Sequence, residues 1–134
     1  MAKLKKILVV DDEVGIRKLL FDALSSEGFT VTLAKDGQDS LDQMQNRRFD
    51  LLITDINMPR LDGIGLLKKM KATGRKEKVI VMTGNTANRS LIVGDMPPVF
   101  TLLEKPFQIN NFLDVVASAF TRPTKKIRKG AGAG

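Results

Sequence analysis

Five short apolar runs, each followed by a segment of helical periodicity or a loop, constrain this chain more than any other feature. Lys5–Asp11 reads as a strand: Ile7-Leu8-Val9-Val10 is continuous rather than alternating, as expected of one buried on both faces. From Val14 the period changes: Ile16, Leu19, Leu20, Ala23 and Leu24 recur at helical spacing and stop near Gly28. Phe29–Leu33 reads as a second strand, with a helix around Asp39–Gln45 that turns Leu41 and Met44 inward. Leu51-Leu52-Ile53 makes a third buried strand ending at Thr54-Asp55. After the loop Met58–Gly63, Ile64, Leu67 and Met70 give a helix that ends by Gly74. Val79–Met82 is a fourth strand, and Asn85–Val93 a fourth helix that Pro97-Pro98 must end. Phe100–Leu103 is the fifth strand; Ile109, Phe112, Leu113, Val116, Ala117 and Phe120 define a last amphipathic helix. Strands alternating with helices in this way form a parallel sheet covered on both faces. Ligands of such sheets sit at the carboxyl ends of the strands.

The residue inventory narrows the chemistry. With no cysteine and no histidine among 134 residues, disulfides, thiolate metal sites and imidazole bases are excluded. No apolar run approaches the roughly 20 residues that cross a bilayer, and the run after the basic start is too short for a signal-peptide core. The expectation is a cytoplasmic protein working through carboxylates, hydroxyls and lysine. Its net charge is +7, but eight of its 22 basic residues lie in 1–6 and 122–134, where there is no acid. Residues 7–121 therefore carry 14 basic against 15 acidic side chains. One domain over 1–121 is expected, followed by a basic, Gly/Ala-rich tail or linker over 122–134. Nucleic-acid binding is not expected of the domain; through the tail it is an alternative to a solvated linker, and it predicts steep salt dependence.

The strand ends supply a coherent set. Strand one runs into Asp11-Asp12-Glu13, strand three ends in Asp55, strand four in Thr83-Gly84 and strand five in Glu104-Lys105-Pro106. Carboxylates gathered at one sheet edge repel one another without a cation, and oxygen-only ligands suit Mg²⁺. A hydroxyl and a lysine opposite the metal suit a phosphoryl group, and a carboxylate can be the nucleophile that accepts it.

Ile7–Glu13 (Ile-Leu-Val-Val-Asp-Asp-Glu), Leu51–Gly63 (Leu-Leu-Ile-Thr-Asp-Ile-Asn-Met-Pro-Arg-Leu-Asp-Gly) and Leu103–Phe107 (Leu-Glu-Lys-Pro-Phe) resemble the response-regulator receiver family of two-component phosphorelay signalling, over about Lys5 to Thr121. The resemblance implies a flavodoxin-like (βα)5 fold with strand order 2-1-3-4-5. It makes Asp55 the site of an aspartyl phosphate, donated by a sensor histidine kinase or phosphotransfer protein. It assigns Mg²⁺ to Asp12, Asp55 and the backbone carbonyl of Asn57, with Asp11 acting mainly through a metal-bound water. Thr83 and Lys105 would contact the phosphoryl oxygens, and the Lys105–Pro106 peptide would be cis. The only reactions implied are self-phosphorylation and autodephosphorylation, the latter bordered by Asn57 and Asn85. The family docks partners or forms homodimers through its fourth helix, fifth strand and last helix.

Two departures fall on that output face. Leu102 stands where the family usually has an aromatic, and Pro98-Val99, after Pro97, replaces the usual Gly-Ala. They support a rival reading, an interaction module that keeps the fold and signals without phosphorylation. Plainer readings exist for single residues. Asp11 and Asp12 could favour a helix N-terminus, Thr83 and the asparagines could be turn residues, and Lys68, Lys69, Lys71, Arg75, Lys76 and Lys78 read most simply as a solvated helix end and loop, with a docking site for an acidic partner as the alternative. Other classes lack their signatures: there is no Gly-rich dinucleotide loop and no P-loop. Acids occupy the position of a flavodoxin phosphate loop, and Asn57 replaces the second aspartate of a haloacid-dehalogenase-type phosphatase.

Overall fold

The apolar runs form the expected strands in a computed structural model that describes residues 4–58, 60–84 and 99–121. In chain order these are β1 (Lys6–Val10), α1 (Val14–Ser26), β2 (Thr30–Ala34), α2 (Gly37–Met44), β3 (Leu51–Asp55), α3 (Gly63–Ala72), β4 (Lys78–Thr83), β5 (Val99–Glu104) and α4 (Ile109–Ala119). All strand pairs are parallel, in the order β2-β1-β3-β4-β5. The chain therefore reverses its winding direction at β1, placing the carboxyl ends of β1 and β3 side by side. The helix expected over 85–93, Asn85 itself, the two prolines and the tail lie outside the described residues.

Alternation along each strand sorts the core into two layers. Leu8, Val10, Leu52, Val79 and Val81 pack with Met44 of α2 and with Leu66, Leu67 and Met70 of α3. Ile7, Val9, Leu51, Ile53, Ile80 and Met82 pack with Leu20 and Leu24 of α1 and with Phe112, Val116 and Ala119 of α4. Because both faces are covered, β3 is buried along its whole length. This explains why its sequence is an apolar run rather than an alternation.

Side-chain caps fix the starts of α2 and α3. Asp36 Oδ1 accepts from Asp39 N at 2.8 Å, starting α2 at Gly37 rather than at Asp39 as the apolar pattern suggested. Asp62 Oδ1 caps α3 in the same way, accepting from Gly65 N at 2.8 Å. Two positions expected to face inward do not. Leu19 is 50% exposed because the core stripe of α1 runs through Leu20 and Leu24. Ala117 is exposed because α4 buries the 112–116–119 line. No helix among the described residues is long and apolar enough to cross a membrane.

Candidate functional site

Since every strand points the same way, the residues following β1, β3, β4 and β5 meet at one edge. Asp11 directly follows β1 and is fully buried. Its amide donates to Ala34 O at 3.2 Å, and its Oδ1 accepts from Glu13 N at 2.9 Å. From the first turns of α1, Arg17 Nη1 donates to its carbonyl at 2.6 Å. Asp12 is exposed beside it. Asp55 closes β3, 6% exposed and in register with Met82 of β4. One carboxylate oxygen from each of Asp11, Asp12 and Asp55 lies within 4.8 Å of the others.

Lys105 reaches this group from the far side of the sheet. Its Nζ donates to Asp11 Oδ2 at 2.9 Å and to Asp55 Oδ2 at 3.1 Å, with Glu13 Oε1 at 4.0 Å. Its backbone is held in place too: Lys105 N donates to Thr83 O at 2.8 Å, which ties the lysine to the end of β4. The Lys105–Pro106 peptide is cis. Thr83 itself is buried at the β4 terminus, and Asn57 is exposed two residues beyond Asp55.

The electrostatics follow from this crowding. Burial pushes the Asp55 carboxyl above its usual 3.8; the Lys105 hydrogen bond and charge pull it back, and Asp11 adds a further upward push. For Lys105, burial pulls downward, but the hydrogen bonds to Asp11 and Asp55 together outweigh it and the ammonium is held above 10.5. Three carboxylates against one close ammonium leave an excess of negative charge. Donors that are all carboxylate oxygen, in a chain with no histidine and no cysteine, fit a hard divalent cation such as Mg²⁺.

The loop after β3 is anchored by residues that the sequence reading did not single out. Arg60, at φ 65°, donates from Nε to Asp36 Oδ2 at 2.8 Å and from Nη2 to Asp36 Oδ1 at 3.0 Å. Gly37 N donates to Leu61 O at 2.9 Å, and Gly63 N to Ile56 O at 2.8 Å. A Cβ at Gly63 would collide with the Asp55 carbonyl oxygen, so only glycine lets α3 start this close to the acid. Asp36-Gly37 ahead of a helical pattern was the one available signal, as a capping residue; its pairing with Arg60 spans 24 residues and is set by tertiary packing.

A doubly wound 2-1-3-4-5 sheet with an acidic pocket at its switch point defines the phosphoacceptor switches. The chain belongs to the response regulator receiver domain family, whose model matches residues 7–117. It is 35% identical over 108 residues to the response regulator MprA of Mycobacterium sp. strain KMS, covering 81% of this chain and 47% of that protein. The chain thus spans about half the length of the curated relatives it matches. It is similar to the CheY-like receiver domain of Methanospirillum hungatei JF-1, with a TM-score of 0.81, 26% identity and coverage of 89% and 95%. It is similar also to TrrA of Thermotoga maritima, a response regulator solved in complex with Mg²⁺–BeF, with a TM-score of 0.75, 28% identity and coverage of 87% and 99%.

Proposed function

We propose that this receiver domain takes a phosphoryl group on Asp55 from a histidine kinase or phosphotransfer protein in a Mg²⁺-dependent reaction, and that it acts in the cytoplasm. The observation that carries the reading is the Asp11–Lys105–Asp55 bridge, 2.9 Å and 3.1 Å long, at the carboxyl edge of the sheet. Asp12, Asp55 and the Asn57 carbonyl would hold the ion, with Asp11 reaching it through water. Bound there, Mg²⁺ supplies charge neutralisation for the carboxylates and the transferring phosphoryl group.

The residues of the chain do the rest. An Asp55 oxygen forms the bond to phosphorus as the P–N bond to the donor histidine breaks. Lys105, already held by Thr83 O, gives its ammonium to a phosphoryl oxygen, and the Thr83 hydroxyl donates to another. Hydrolysis of the aspartyl phosphate by water passing Asn57 resets the domain. The partner's docking surface is supported by exposed Val14, Leu19 and Phe21 on α1. It is supported also by an apolar hollow of about 360 Å³ among Ile16, Leu19, Leu20, Pro106 and Phe107, directly beside Lys105.

The output passes through β4 and β5. Leu102, in register with Val81, is partly buried against the α2–α3 core layer, so a change at Thr83 has a packed side chain two positions away to move. Dimerisation or partner docking through β5 and α4 belongs to the same proposal.

Intact mass after incubation with acetyl phosphate, with and without Mg²⁺, tests the reading. A Mg²⁺-dependent phosphate adduct on the wild type and none on Asp55→Ala is the expected result. An adduct that persists on Asp55→Ala would refute the assignment. No adduct together with no beryllofluoride binding would instead favour an interaction module that works without phosphorylation.

A further inference from the structure

Counted along the sequence, the domain body is nearly neutral; folding segregates its charge. The carboxylates at the Asp55 edge have their counterpart at the opposite pole, where the amino ends of β1, β3 and β4 meet the end of α4. A cavity of about 340 Å³ opens there, with Lys5, Arg48, Lys76 and Lys78 in its wall and Phe49 and Phe120 in its lining. Lys6 and Arg47 line the adjoining hollows, and among the described residues Asp50 and Glu77 are the only carboxylates that line any of the three.

Some of these cations serve the fold, as expected where helices present their carbonyl ends. Lys78 Nζ donates to Ala119 O at 2.6 Å. Arg75 donates to Met44 O at 3.0 Å and Arg47 O at 2.7 Å, and its pairing with Glu77 answers that buried acid. Arg47 lies over the Phe49 ring at 5.2 Å. Lys6, Arg48 and Lys76 do none of this. All three are exposed, and among the described residues their side chains have no hydrogen-bond or ion-pair partner. Lys5, posed 5.7 Å from the Phe120 ring centroid, stands next to them. The sequence adds Arg122, Lys125, Lys126, Arg128 and Lys129 a short distance beyond Phe120.

We infer that this pole, carried by Lys5, Lys6, Arg48 and Lys76, is a second binding surface, for the sugar-phosphate backbone of a nucleic acid. Three neighbouring strands about 4.8 Å apart spread these cations over roughly 10 Å, which matches about three phosphates at a rise of about 3.4 Å per nucleotide. A membrane surface fits less well. Leu4 is the single large apolar side chain exposed at this end among the described residues, the others being on α1, and interfacial binding needs a broader apolar face. An acidic protein partner would need an apolar interface core that this end does not offer. The surface lies at the opposite end of the strands from Asp55.

Fluorescence anisotropy of the full chain with a labelled duplex of about 20 base pairs, titrated between about 50 and 200 mM NaCl, tests this. The logarithm of affinity is expected to fall linearly with the logarithm of salt. The double variant Arg48→Gln/Lys76→Gln should flatten the slope by about 2 and weaken binding about tenfold or more at roughly 100 mM, since each lost phosphate contact removes about 0.9 of slope. Lys18→Gln/Lys35→Gln removes the same charge elsewhere on the exposed surface and should change affinity less than about twofold. Equal losses in the two double variants would reduce the effect to net charge and overturn the proposal. So would binding that Lys125→Gln/Lys126→Gln abolishes and the pole variant leaves intact. Capture by phosphatidylserine vesicles without capture of the duplex would overturn it in favour of a lipid surface.

Discussion

Replacing Lys105 by methionine isolates the charge at the centre of the site, because methionine keeps much of the length and packing of the lysine stem. The ammonium sits 2.9 Å from Asp11 Oδ2 and 3.1 Å from Asp55 Oδ2. At an effective dielectric constant of about 20, each contact is worth about 5–6 kcal/mol of gross attraction. Desolvation of the ammonium offsets much of this. Removing one member of a buried ion pair costs about 3–5 kcal/mol; because the Lys105 side chain is 18% exposed, water screens part of the loss. A net destabilisation of about 2–4 kcal/mol is expected, made larger by the Asp11–Asp55 repulsion that remains.

Urea unfolding in EDTA is the assay, with the midpoint of Lys105→Met falling by roughly 1–2 M at an unchanged slope. The pH dependence supplies an internal control. The Lys105 pKa is raised in the fold, so its contribution is fully present below 10.5 and disappears as pH rises through the raised value. The wild type should therefore lose stability above pH 10.5 in a way that Lys105→Met does not. Adding Mg²⁺ should stabilise the variant more than the wild type, since the ion then meets uncompensated carboxylates. A variant within about 0.5 kcal/mol of the wild type in EDTA would show that the bridge contributes nothing, and the reasoning would fail.

Three further outcomes follow from the same structure. Asp55→Asn should raise stability at neutral pH by about 1 kcal/mol in urea titrations while abolishing the phosphate adduct. Burial holds the Asp55 pKa above 3.8, so the wild type loses stability as pH rises from there through the raised value, and the asparagine variant should not. Gly63→Ala, whose Cβ would press on the Asp55 carbonyl and the Ile56 Cα, should cost about 1–3 kcal/mol and slow phosphorylation by acetyl phosphate measurably. Asp36→Ala should cost about 1 kcal/mol as a lost helix cap. The Arg60 hydrogen bond holds the Asp36 pKa below 3.8, so that contribution is present above 3.8 and vanishes as acid titration passes through the lowered value; equal acid unfolding of wild type and variant would contradict it.

Much of the architecture was legible in the sequence because it is written in local patterns. A parallel strand buried on both faces must be a short apolar run, and Ile7–Val10, Leu51–Ile53 and Val79–Met82 could hardly be anything else. The site was legible for a related reason. Asp11, Asp55, Thr83 and Lys105 each sit next to a strand end, and the strand order that the family resemblance implied places them at one edge. Burial of individual helix residues was less legible. Leu19 and Ala117 have helical spacing and the right chemistry, yet the turn of each helix against the sheet is set by neighbours far away in sequence. Long-range pairs were beyond reach altogether: nothing near Arg60 points to Asp36, and nothing near Lys76 points to Arg48. The charge of the pole is the extreme case, because a linear count averages over residues that folding separates.

Site and switch share one physical origin. A buried carboxylate whose pKa is raised, next to another buried carboxylate, is a local cost to the fold, and Lys105 relieves it only in part. Stability given up there becomes affinity for whatever neutralises the group, so a divalent cation or a phosphoryl group bound by this edge also stabilises it. The strain has a structural outlet. Thr83 and Glu104 are in register, Lys105 is hydrogen-bonded to Thr83 O, and Leu102 pairs with Val81 on the same two strands. Between Val79 and Ile80 the β4–β5 register shifts, with Val99 opposite one and Thr101 opposite the other. Phe100 is thereby left over in β5, a bulge that sets which side of the sheet each later β5 residue faces. Leu102 consequently packs with the α2–α3 layer and Leu103 with the α1–α4 layer. On the proposed function, a movement of Thr83 toward a phosphoryl group would pull on the backbone that positions Lys105 and on the strand that carries Leu102. An aromatic ring is not required for such coupling on this reading, because a partly buried leucine can also change rotamer.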